Sequence, residues 1–115
     1  RSAIHRQAVR AARDDATRLT NLYTGRPARG LLTRFMREQG PMSAAAPAFP
    51  LATGAVDPLR VAVEKTGSGD FSLLWSGEAA AMARETDAEA LTRQLWDDAL
   101  DCAAGLRAGM AARAG

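Results

Sequence analysis

Cysteine and histidine are nearly absent: Cys102 and His5 are the single representatives of each among 115 residues. One cysteine excludes an internal disulfide framework, and the two together leave no cluster with zinc-ligand spacing, so no metal site is expected. Aromatic residues are also few, six against 26 alanines, so the 47% apolar content overstates the oily area a core can bury. No long uncharged run is free of Pro, Gly and Ser, which argues against a membrane-spanning helix and gives the expectation of a soluble, cytoplasmic chain. The sequence opens on Arg1 rather than Met, with no basic segment leading into an apolar run, and so reads as trimmed rather than secreted. It is also far shorter than the roughly 250 residues of a closed eight-fold β/α barrel.

Arginine is plentiful but unevenly placed. Residues 1–37 hold nine arginines against Asp14 and Asp15, a net charge of +7, whereas residues 38–115 hold six basic and eleven acidic side chains, a net −5. Such polarity points either to an anionic partner for the first third or to two oppositely charged faces of a larger fold.

Periodicity predicts a mainly α chain with one or two short strands. Ser2 is placed to cap a helix over residues 2–15, with Ile4, Ala8, Ala11 and Ala12 on one face. Residues 17–24, rich in Thr, Leu and Tyr, suit a strand. Gly25 to Gly30, GRPARG, reads as a glycine-bracketed loop, and a second helix follows from Leu31 until Gly40-Pro41 stops it. Residues 40–56, with three prolines, are expected to be irregular. Asp57-Pro58 marks the start of a third helix over 58–66, and Asp70 caps a fourth through Phe71, Leu74 and Trp75, kinked near Gly77. Thr86-Asp87-Ala88-Glu89 forms a capping box for a fifth, in which Leu91, Leu95, Ala99, Cys102 and Leu106 share a face. Residues 105–115 fall to Ala, Gly and Arg and read as a frayed tail.

A self-contained catalytic set is missing, since neither His5 nor Cys102 has an acid placed to orient it. Cys102 on an apolar stripe is expected in a core, and Asp97, Asp98 and Asp101 read as a solvated face. In GRPARG, two guanidinium forks flank a rigid turn, a pattern suited to holding phosphate or carboxylate groups. Arginine-rich RNA binding is disfavoured, because Tyr23 and Phe35 are the only nearby aromatics and the RNP pattern is lacking. Trp75-Ser76-Gly77-Glu78 sets a bulky ring beside a hinge-like pair.

Taken in order, Asp15-Ala16-Thr17-Arg18-Leu19-Thr20, Tyr23-Thr24-Gly25-Arg26-Pro27-Ala28-Arg29-Gly30, Thr33-Arg34-Phe35, Phe49-Pro50-Leu51 and Leu74-Trp75-Ser76-Gly77 resemble the C-terminal third of nitronate monooxygenases, over roughly residues 2–92. The resemblance implies an α/β parent, an FMN-binding (β/α)8 TIM barrel carrying a smaller helical substrate domain. Residues 1–16 would then be the last barrel helix, 17–104 the substrate or lid domain, and 105–115 the tail. It also implies oxidation of an alkyl nitronate by molecular oxygen to a carbonyl compound and nitrite. Tyr23, Arg26, Trp75 and Ser76 would face the substrate, and FMN would be bound mainly by the barrel, the partner absent from this chain. No catalytic residue is expected here, so the chain alone should be inactive, with neither nucleic acid nor membrane as partner. Two departures stand out: Ala52-Thr53 where the family commonly has Gln-Asn, and Glu78 where it commonly has Gln. The rival expectation is a small helical binding module, without enzymatic role, whose basic first third holds an anionic partner.

Overall fold

The order of elements along the chain is α1 (Ala3–Arg10), β1 (Thr17–Thr20), β2 (Ala28–Leu31), α2 (Arg34–Gln39), α3 (Leu51–Glu64), a 3-10 helix (Glu78–Met82) and α4 (Ala88–Ala114). The structure, a computed structural model, describes residues 2–114. It is mainly helical with two short strands, as the sequence predicts. Two units are distinguished, one running to Ala83 and one beginning at Arg84.

In the first unit, the Ser2 hydroxyl accepts from the His5 amide and opens α1. The helix stops at Arg10 rather than continuing to residue 15, which keeps the Asp14-Asp15 carboxylates off the negative end of its dipole. Its apolar face, Ile4, Ala8, Val9 and Ala12, packs on Leu31, Leu74 and Ala80. β1 and β2 are antiparallel, with Thr17 opposite Leu31 and Thr20 opposite Ala28. The strand expected over 17–24 therefore ends at Thr20, and the second half of GRPARG, expected as loop, is strand. Once past Pro27, the backbone of β2 is bonded on both sides: to β1, and to residues 74–76, where the Leu31 amide donates to the Leu74 carbonyl at 2.8 Å and Gly30 bridges Trp75. Gly30 is required by that approach, since a Cβ there would stand 3.0 Å from the Leu74 carbonyl oxygen.

The same bonding corrects the fourth helix. Residues 70–77 are not helical; Ser72 and Leu74 are buried while Leu73 and Trp75 are half-buried, a two-residue alternation that suits an extended strap rather than a helix. Only the short 3-10 turn after Gly77 remains of it. α2 begins at Arg34, capped by the Thr33 hydroxyl, because Leu31 belongs to β2. α3 begins at Leu51, seven residues ahead of Pro58, which lies inside it. Asp57 does not cap but binds Arg60 at 2.9 Å, while burial of Ala52 and Val56 holds the first turns despite the bond that Pro58 removes. The core proper is Leu22, Tyr23, Met36 and Val56, ringed by Leu32, Phe35, Ala46, Leu73 and Trp75.

In the second unit the Asp87 carboxylate, rather than Thr86, caps α4 by accepting from the Ala90 amide at 3.0 Å. The helix runs through Gly105 and Gly109 to Ala114, past the end expected at 104, because the surrounding alanines carry the strongest helix preference. Leu91, Leu95, Trp96, Leu100 and Leu106 are exposed along it, and so is Cys102, against the expectation of a core position.

Candidate functional site

The turn after β1 is held by a short ladder of local bonds. The Gly25 amide donates to the Asn21 carbonyl at 2.8 Å, and the Thr24 hydroxyl both donates to the Arg26 carbonyl and accepts from its amide. Gly25 has φ +81°, and a Cβ on it would stand 2.4 Å from the Phe49 nitrogen and the Pro47 carbonyl oxygen. The turn is therefore pressed against residues 47–49, and it brings the Arg26 guanidinium 4.3 Å from the centre of the Phe49 ring. Both side chains remain exposed. A cation over an aromatic face is attracted by the ring quadrupole, and an exposed guanidinium can still donate to an anion.

Arg29, three residues on, is placed differently. It donates to the Thr17 hydroxyl at 3.2 Å and pairs with Glu78 at 2.7 Å, tying β2 to the segment after Gly77. Ser76 belongs to the same seam, its amide donating to the Arg29 carbonyl at 3.3 Å.

Tyr23 lies beneath, 1% exposed, its hydroxyl 2.7 Å from that of Thr33. Burial pushes its pKa above the ordinary tyrosine value, partly offset by the Thr33 hydrogen bond. Its ring meets Trp75 and Phe35 edge-on, each at 5.7 Å between centroids. The Thr53 hydroxyl donates to the Tyr23 carbonyl at 2.8 Å and so fastens α3 to the turn. His5 lies with Nε2 3.1 Å from the Trp75 carbonyl, which can only accept, and thereby joins α1 to the strap.

Of the residues singled out from sequence, Tyr23 and Trp75 are thus in ring contact, Ser76 is tied to Arg29, and Arg26 is stacked on Phe49. Sequence reasoning missed Phe49 as the partner of Arg26, Glu78 as that of Arg29 and Thr33 as that of Tyr23. Opposite charge gave a signal only for the second. Among the described residues, no group of three His, Cys, Asp or Glu side chains is placed to hold a metal ion, and no helix is long and apolar enough to cross a membrane.

Fold and site together define a small helical domain that presents an arginine-aromatic edge. The chain belongs to the nitronate monooxygenase family, whose model matches residues 1–98. It is 36% identical over 98 residues to the nitronate monooxygenase of Pseudomonas aeruginosa, covering 84% of this chain and 28% of that protein. With the probable nitronate monooxygenase of Staphylococcus saprophyticus the identity is 27% over 90 residues, covering 78% and 25%. The solved structure of a nitroalkane oxidase from Streptomyces ansochromogenes superposes with a TM-score of 0.76 at 37% identity, covering 90% of this chain and 29% of that one. The chain thus spans about a quarter of the length of the curated relatives it matches.

Proposed function

We propose that this chain is the C-terminal substrate or lid domain of a cytoplasmic, FMN-dependent nitronate monooxygenase. The parent oxidises an alkyl nitronate with molecular oxygen to a carbonyl compound and nitrite. In this reading residues 1–16 are the last helix of the parent's barrel and residues 17–104 the domain that closes over the substrate. The observation that carries it is Arg26, a permanent and exposed cation 4.3 Å from the centre of the Phe49 ring, on a turn closed against residues 47–49. A nitronate bears its negative charge on two oxygens, the geometry a guanidinium fork accepts. Trp75 and Ser76 supply the covering strap. Tyr23, whose hydroxyl is engaged by Thr33, supports both the turn and the Trp75 ring from below.

One common cradle for a flavin phosphate is a set of backbone amides opened by glycine. The two glycines of GRPARG do not fit that use: Gly25 is closed by residues 47–49 and Gly30 by Leu74 and Trp75. FMN is therefore assigned to the rest of the parent, and no step through it is derived from these residues. The test is oxygen uptake and nitrite release by the full-length parent given an alkyl nitronate. Stoichiometric nitrite and carbonyl product are expected; a parent that consumes no oxygen with any short alkyl nitronate contradicts the reading.

A further inference from the structure

We draw no further inference here: the strongest candidate, the exposed apolar face of α4 with Leu91, Leu95 and Leu106, carries none because nothing in the structure shows what covers it in a chain that spans about a quarter of its curated relatives.

Discussion

Arg26 and Arg29 stand three residues apart in one hairpin and meet opposite fates. The sequence separates them only by context, since Arg29 precedes Gly30 and the Leu31-Leu32 pair whereas Arg26 precedes Pro27. The structure supplies the partners: an exposed ring for Arg26, a threonine and a carboxylate for Arg29. In the parent, Arg26→Ala should lower kcat/KM for a nitronate by roughly ten- to a hundredfold, the scale of one lost charged hydrogen bond of about 1.5–3 kcal/mol, with little change in melting temperature. Arg29→Ala should do the reverse. Its pair with the exposed Glu78 contributes at most about 1 kcal/mol, but its loss also strips a donor from the buried Thr17 hydroxyl, so melting should fall while kcat/KM in the folded fraction holds. Steady-state kinetics and melting curves on both variants decide this, and equal losses of both kinds would remove Arg26 from the site. Tyr23 adds a pH dependence. Because burial raises its folded-state pKa, the folded chain retains the phenol proton longer than the unfolded one, and stability falls as pH climbs from about 10 through the raised value. Melting curves between pH 7 and 11 should show that loss. Tyr23→Phe should flatten this component, at a cost of about 1–3 kcal/mol at neutral pH for the abandoned Thr33 hydroxyl.

At the scale of elements, what was legible followed from local chemistry. Ser2 and Gly40 mark helix ends in the sequence, and in the structure Ser2 opens α1 and Gly40 closes α2. What was not legible depended on distant backbone. Phe71, Leu74 and Trp75 have helical spacing, but β2 offered the 74–76 backbone a sheet partner that no local pattern records. Asp57-Pro58 looks like a helix start, yet Asp57 is taken by Arg60, and the preceding turns gain from burying Ala52 and Val56. α4 shows the converse: its apolar stripe predicts a core-facing helix, and every side chain described along it is exposed. A helix without buried contacts opens locally at little cost. In hydrogen exchange of this chain the amides of α4 should therefore lose protection well before those of β1, β2 and α2, in which Thr17, Thr20, Leu31 and Met36 are buried. Slower exchange in α4 than in the hairpin would contradict the burial described for it.

For the molecule as a whole, family membership was legible because five short segments kept their order, although no single one is specific. Their spacing reflects three junctions that the structure makes explicit: the turn at Gly25 against residues 47–49, Gly30 against the Trp75 strap, and Thr53 against the Tyr23 carbonyl. All three hold one edge of the first unit together and leave its glycines closed to a phosphate. The central claim is accordingly a division of labour, in which this domain contributes a cation and a cover and the remainder of the parent holds the flavin. The most direct test is the visible absorption spectrum, recorded after incubation with FMN and removal of unbound ligand. The full-length parent should retain about one flavin per chain, and the 115-residue chain should remain colourless. Tight, stoichiometric flavin on the 115-residue chain would contradict the account.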